Sequence, residues 1–280
     1  MAKYSHDGVV PFKDSELGKK QQVADMFDRI AFRYDFLNRF LSGGIDIYWR
    51  RRAIRELMKQ EAVAGKSNGE AGHAAFAGGG PKTVLDVATG TGDMAIMLTR
   101  YLSPCRVTGI DISKGMLEIG RQKIARLKLE GRIELAEGDS EAIHFPDDHF
   151  DAITVAFGVR NFENLEIGLQ EMLRVLKPGG RLVVLEFSQP KTPGIRQAYD
   201  LYLRLVCPGL GKMISSSREA YQYLNDSVRA FPEGGDFLRI LDKTGYKNMK
   251  IIKLSFGVCS IYIAEKANAG GGQNAMGPGN

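Results

Sequence analysis

Between residues 83 and 187, short apolar runs alternate with stretches whose apolar positions recur every three to four residues. The runs TVLDVA (83–88), RVTGID (106–111), RIELAE (132–137), FDAITVAF (150–157) and RLVVLEF (181–187) predict five strands. Between them the helical period predicts helices over Asp93–Leu102, from a Ser113 cap to Leu129, and over Leu165–Leu176, the last stopped by the Pro and Gly of KPGG. Ahead of the first strand, Val23, Met26, Phe27, Ile30, Tyr34, Leu37 and Leu41 fall at helical spacing and predict one or two amphipathic helices. Near the other end, MKIIKLSF (249–256) and VCSIYIAEK (258–266) meet at Gly257, as an antiparallel pair closing one sheet edge would. Repeated strand–helix alternation predicts an α/β fold, a doubly wound, mostly parallel sheet with helices on both faces.

The rhythm fails in three places. Residues 61–80 and 267–280 are rich in Gly and small residues without a sustained period, and read as a flexible insert and a disordered tail. Residues 189–230 interrupt the last strands and are expected to cover the carboxyl edge of the sheet. The chain thus divides into an N-terminal helical segment or lid (1–60), the insert (61–80), a main domain (81–266) carrying the 189–230 cover, and the tail (267–280).

Composition narrows the class. Hydrophobic residues make up 44% and charged residues 25%, a globular balance that excludes wholesale disorder. The net charge of +5 suits an acidic partner or an anionic membrane surface, and equally a basic solvated surface. Cys105, Cys207 and Cys259 lie far apart with no neighbouring His cluster, so no disulfide framework or metal site is expected, and a cytoplasmic setting fits. Neither a leader-like apolar stretch nor a bilayer-length apolar run is visible, so the protein is expected to be soluble or at most peripheral.

The candidate chemistry centres on DVATGTGDMA (86–95), which links the first strand to its helix. Gly90 and Gly92 let the backbone turn sharply and approach a ligand. Read literally, the turn satisfies the dinucleotide fingerprint, so an NAD-dependent oxidoreductase is one reading. A pyrophosphate would sit at the helix N-terminus, however, where Asp86 and Asp93 would repel it. Those carboxylates suit instead the ammonium and sulfonium of S-adenosylmethionine (SAM). Asp111, ending the second strand, is placed for ribose hydroxyls, and Asp139 and Ser140, after the third, for adenine.

With these residues in view the chain resembles the class I SAM-dependent methyltransferases, a Rossmann-like fold, through DVATGTGD, GIDIS, Asp139–Ser140 and LKPGGRLVVLEFS. More narrowly, YDFLNRFLSGGIDIYW (34–49) and RVLKPGGRLVVLEFS (174–188) resemble the ubiquinone/menaquinone C-methyltransferase family, as do FGVRNFEN (157–164) and EAYQYLNDSVRAFP (219–232). The likeness spans residues 20–266. It implies SAM-dependent methylation of a ring carbon on a polyprenylated quinol, with Thr91, Asp111, Asp139 and Ser140 at the family's SAM-binding positions. Two positions depart: Ala156 stands where some relatives have serine, and Asp46 where several have histidine.

Ring-carbon methylation requires alignment of the reactants, an ionised ring hydroxyl and loss of the ring proton. Arg160 and Asn161, just past the fourth strand, are the candidates: Arg160 to stabilise a phenolate or hold a water, Asn161 to orient a ring oxygen. Tyr34, Asp35 and Asn38 belong to the expected lid, where Tyr34 suits a substrate contact and a core stripe equally. Tyr199, Tyr202, Tyr221 and Tyr223 suit either an amphipathic wall for a prenylated ring or a packed cover helix. The basic segment 47–59 is amphipathic enough to visit a membrane surface and is also a normal packed helix. The preferred ring is a demethylmenaquinol, with the benzoquinol of ubiquinone synthesis as the alternative. A nucleic-acid partner is not expected, because no Lys/Arg stripe with interleaved aromatics appears. A homodimer remains open.

Overall fold

The structure, a computed structural model, describes residues 4–59, 80–194, 197 and 218–268. Five strands, β1 (Thr83–Val87), β2 (Arg106–Asp111), β3 (Ile133–Glu137), β4 (Phe150–Ala156) and β5 (Leu176–Phe187), are mutually parallel. With β6 (Lys247–Leu254) and β7 (Cys259–Glu265) they form one sheet in the order β3-β2-β1-β4-β5-β7-β6. Strand β7 is antiparallel to both its neighbours. The described helices are α1 (Lys19–Leu41), α2 (Ile45–Met58), α3 (Asp93–Tyr101), α4 (Lys114–Arg126), α5 (Leu165–Val175), α6 (Arg218–Ala230) and α7 (Gly235–Lys243).

The core forms on both faces because strand side chains alternate. In β5, Val183 and Leu185 face one cluster with Trp49, Ala53, Ile54 and Leu57 of α2 and Leu98 of α3. Leu182 and Val184 face the other, with Leu165, Leu169 and Met172 of α5 and Phe237, Ile240 and Leu241 of α7. Trp49 fixes α2 in place: its ring meets Phe157 and Phe187, and its indole N–H donates to Ser255 at 2.9 Å.

The stretch over 21–41 is one continuous helix, within the one or two expected, and Gly43 and Gly44, with φ values of 58° and 79°, make the turn into α2. Two details differ from the sequence pattern. KPGG does not lie outside the sheet; it begins β5. The Gly179 amide donates to the Lys266 carbonyl at 2.9 Å and the Gly180 carbonyl accepts from the Lys266 amide at 3.0 Å, so pairing with the distant chain end draws this segment into the sheet. Helix α7, nine residues long, carries only Phe237, Ile240 and Leu241 as a buried stripe and was too short to stand out by period. The insert and tail, apart from Gly80, Ala267 and Asn268, and Tyr199, Tyr202 and Cys207, lie outside the described residues.

Ser113 starts α4 as the pattern predicts, its Oγ accepting from the Met116 amide at 3.2 Å. The same hydroxyl donates to Asp28 of α1 at 2.5 Å, so the cap also ties α1 to the sheet. Ser113→Ala is expected to lower unfolding free energy by about 1–2 kcal/mol, the ordinary cost of a lost cap with a second bond attached. Urea denaturation of the two proteins measures it.

Candidate active site

An open cleft of about 660 Å³ lies at the carboxyl ends of β1 to β4, bounded by Ala88 and Gly90, Asp111 and Ile112, Gly138–Glu141 and Ala156–Gly158. The chain order reverses between β1 and β4, the switch point where α/β sheets leave room for ligands. Two non-glycine residues adopt left-handed backbone here, Ala88 (φ 54°) and Phe157 (φ 62°), directing the β1 and β4 turns toward each other. They approach so closely that a Cβ on Gly158 would lie 2.5 Å from the Ala88 Cβ, so only glycine fits.

Asp111 holds the glycine turn in shape. One carboxylate oxygen accepts from the Gly90 amide at 2.7 Å, the other from the Ser113 amide at 2.9 Å. Burial raises its pKa above the usual carboxylate value, opposed by these same two amides. Asp139 and Ser140 line the cleft beside it.

Helix α1 closes the opposite wall. Lys20, Val23, Phe27 and Tyr34, at helical spacing, line the cleft. Asp28 and Asp35, also two turns apart, clasp the sheet. Asp28 accepts from Ser113 and from the Gly115 amide at 2.8 Å. Asp35 accepts from the Thr91 hydroxyl at 2.6 Å and from Lys123 at 2.8 Å. Lys20 adds a third tie, to Asp139 at 2.6 Å and Glu141 at 3.3 Å. Sequence reasoning missed Lys20 and Glu141. Nothing in local spacing links a lysine on the first helix to a loop more than a hundred residues away.

Several expected site residues stand elsewhere than the pattern suggested. Thr91 does not line the cleft; it is buried and its hydroxyl is bonded to Asp35. Gly92 (φ 77°) caps α3 behind the turn. Asp93 is no open carboxylate: Lys123 bonds it at 2.5 Å and Arg39 at 3.3 Å. Burial raises its pKa, but Lys123, then Arg50 and Arg39, overturn that and hold it below the ordinary value. The charge argument from Asp93 for an ammonium ligand is therefore corrected, since local cations already compensate it.

Asp86 stands beneath the turn, 1% exposed and outside the cleft lining. It lies opposite Thr154 in the β1–β4 register, and its oxygens accept from the hydroxyls of Thr154 and Thr89, both at 2.6 Å. It braces the turn from beneath.

Arg160 is not among the residues that line the cleft. It is 5% exposed, ion-paired with the fully buried Glu186 at 2.8 Å and bonded to the Phe157 carbonyl. These bonds brace the β4 turn from within the core. Asn161 does line the cleft, and its Oδ1 accepts from the Tyr223 hydroxyl of α6 at 3.1 Å. Tyr34 also faces the cleft, edge-on to Phe27 with ring centroids 5.8 Å apart. Ala156 contributes apolar lining. Asp46 is buried and accepts from Ser42 at 2.9 Å, a helix-start contact away from the cleft.

Burial raises the Asp86 pKa to about 6, against the lowering pull of Thr154 and Thr89. Folding therefore binds a proton as pH rises above the unfolded value near 4. Stability from this group is complete below about pH 4 and falls as pH climbs through about 6. Asp86→Asn is expected to flatten that segment of the stability profile, which denaturation at pH 4.5, 6 and 7.5 tests.

Residues 15–266 match the ubiE/COQ5 methyltransferase family. The chain is 41% identical over 264 residues to the demethylmenaquinone methyltransferase of Bacteroides fragilis, covering 94% of this chain and 99% of that one. It is 43% identical over 249 residues to the ubiquinone/menaquinone biosynthesis C-methyltransferase UbiE of Geobacter sulfurreducens, covering 89% and 90%. In fold it is similar to a SAM-dependent methyltransferase of Thermotoga maritima, with a TM-score of 0.56 at 17% identity over 87% of this chain and 99% of that one. It is also similar to a Methanococcus maripaludis protein described as a SAM-dependent methyltransferase, with a TM-score of 0.54 at 19% identity over 95% and 100%. The cleft suits this cofactor: it runs from the glycine turn at Gly90 to the Asp139–Ser140 loop and carries the Asp111 carboxylate between them. With fold, turn and family in agreement, the chain belongs to the ubiE/COQ5 family and is a SAM-dependent methyltransferase.

Proposed function

We propose that this enzyme methylates a ring carbon of a polyprenylated quinol, converting demethylmenaquinol to menaquinol. The observation that carries the reading is the end-to-end likeness to the Bacteroides fragilis demethylmenaquinone methyltransferase. The cleft supports it: Val23, Phe27, Tyr34, Phe157 and Phe162 form an apolar, aromatic wall around the single amide of Asn161. Such a wall accepts an aromatic ring, and one amide suffices to orient an oxygen on it. The equivalent benzoquinol is the second substrate reading, supported by the likeness to the ubiquinone/menaquinone C-methyltransferase UbiE of Geobacter sulfurreducens.

SAM supplies an electrophilic methyl group; Asp111, Asp139, Ser140 and Gly90 are the residues proposed to hold it. Because Asn161 Oδ1 already accepts from Tyr223, its Nδ2 is left to donate to a ring oxygen. Arg160, anchored by Glu186, is a donor-only guanidinium and is assigned no base role. Its charge works at a distance. Burial raises the pKa of Tyr34 and of Tyr223, and in both Arg160 pulls the other way, favouring the phenolate. A quinol hydroxyl between these two tyrosines would feel the same field, which pushes electron density onto the ring carbon.

The substrate's tail lies in the bilayer, so the enzyme is proposed to dock at an anionic membrane surface. A face other than the apolar side of 47–59 supports this reading. The apolar face of α2 is packed on the sheet through Trp49, Ala53, Ile54 and Leu57. Instead the outer face of α1 and the start of α2 expose Phe32 (86%), Phe36 (57%), Ile45 (39%) and Tyr48 (51%). Around them Arg33, Arg51 and Arg55 are exposed, whereas Asp46 is buried and Asp35 is bonded to Lys123. Aromatic residues flanked by arginines suit the headgroup layer. No helix among the described residues is long and apolar enough to cross a membrane.

Quinone profiling of cells lacking the gene tests the reaction: demethylmenaquinone is expected to accumulate, and an unchanged quinone pool would refute the reading. Asn161→Ala is expected to lower kcat by about 100-fold while SAM affinity stays within about twofold, the signature of a group that acts on the ring. Equal losses in both would assign Asn161 to cofactor binding. Phe32→Ser with Phe36→Ser is expected to abolish co-sedimentation with phosphatidylglycerol vesicles and leave turnover of a short-tailed soluble quinol unchanged. Undiminished vesicle binding would remove this face from the docking surface.

A further inference from the structure

Tyr223, on α6, is 3% exposed and packs with Val23 and Met26 of α1. Val9 and Phe12, ahead of α1, and Phe27 of the cleft wall close the same cluster. Tyr223 is not among the residues that line the cleft, so its ring belongs to a packed cover helix rather than to a wall around the substrate. Its hydroxyl does something that packing does not require. It reaches the side chain of Asn161, which does line the cleft, and donates to Oδ1 at 3.1 Å. Burial raises the Tyr223 pKa against the pull of Arg160, so the hydroxyl keeps the proton that it donates.

Asn161 is otherwise held through its backbone. Its amide N–H donates to the Gly158 carbonyl at 2.9 Å, within a single 3-10 turn over Val159–Asn161. That turn is fixed to the core by the Arg160–Glu186 pair. Among the described residues, Tyr223 supplies the one hydrogen bond to the Asn161 side chain. A side-chain amide carries an acceptor at one end and a donor at the other, and half a turn exchanges them. An ionising ring hydroxyl needs the donor, and the exchanged amide would offer it an acceptor. We propose that Tyr223 is a positioning residue for methyl transfer: it holds the Asn161 amide with its donor end toward the ring and does not itself touch the substrate. The inference rests on the ring-orienting role proposed for Asn161. It gives α6 a part in the chemistry, since this helix belongs to the segment expected to cover the cleft. With α6 packed on α1 the amide is set; with α6 lifted it is free to turn. Covering the ring and aligning its donor are then one event.

Tyr223→Phe removes one oxygen and keeps the ring, and with it the packing on Val23 and Met26. With demethylmenaquinol as substrate, the variant is expected to lower kcat by about 10-fold, the scale of one hydrogen bond that keeps a reacting group in line. KM for the quinol, and S-adenosylhomocysteine affinity by isothermal titration, should stay within about twofold, which also shows that the cleft is folded. An Asn161→Ala background separates orientation from packing. There Tyr223→Phe should cost no more than about a further twofold, because no amide remains to be oriented. Equal losses in both backgrounds would make Tyr223 a packing residue and overturn the proposal, as would wild-type kcat in Tyr223→Phe. Either result leaves the proposed reaction standing, provided the wild type turns over and Asn161→Ala does not. A wild type that methylates no quinol, or an Asn161→Ala variant with full kcat, refutes the underlying reading and this inference with it.

Discussion

The Asp111 carboxylate is the joint on which this active site depends. It ends β2, yet its two oxygens hold the amide of Gly90 in the neighbouring turn and the amide of Ser113 at the head of α4. Two loops from adjacent strands are thereby fixed by one side chain, and a ligand that meets this carboxylate meets a preformed surface. Asp86 works below it, with Thr89 and Thr154 satisfying both its oxygens. One acid shapes the floor and the other presents a face.

Around this joint, helix α1 is both wall and clasp. Its cleft face brings Phe27 and Tyr34 to the ligand, while Asp28 and Asp35 bond the α4 cap and the glycine turn. Helix α1 and the glycine turn share hydrogen bonds, so displacing one loosens the other. Arg160 and Glu186 give the β4 turn comparable rigidity from inside the core, where an unpaired member would leave a bare charge. The result is a cleft with a stiff floor and an aromatic wall in which Asn161 is the one side-chain amide.

Much of this was legible in the chain. The five parallel strands, their helices and the antiparallel closing pair follow from periods of two and of three to four, which depend on local burial alone. The Ser113 cap followed from its place before an apolar-periodic stretch. KPGG misled because proline and glycine ordinarily stop structure, and only the Lys266 backbone, almost ninety residues onward, reveals the pairing that extends β5. Helix α7 was missed because nine residues offer too few turns for a period to emerge.

The site divides in the same way. By itself the sequence determined the turn at 86–93, its place after a strand, the acids at the ends of β2 and β3, and the membership that names the reaction class. These reside in contiguous residues, where spacing and residue type suffice. Tertiary structure alone decided which charged groups are available. Asp93 is matched by Lys123, Arg160 by Glu186 and Asp139 by Lys20, whereas Arg50 is left without an acceptor. A charge's availability depends on partners 26 to 119 positions away and on the water removed around it. Neither is written in local order.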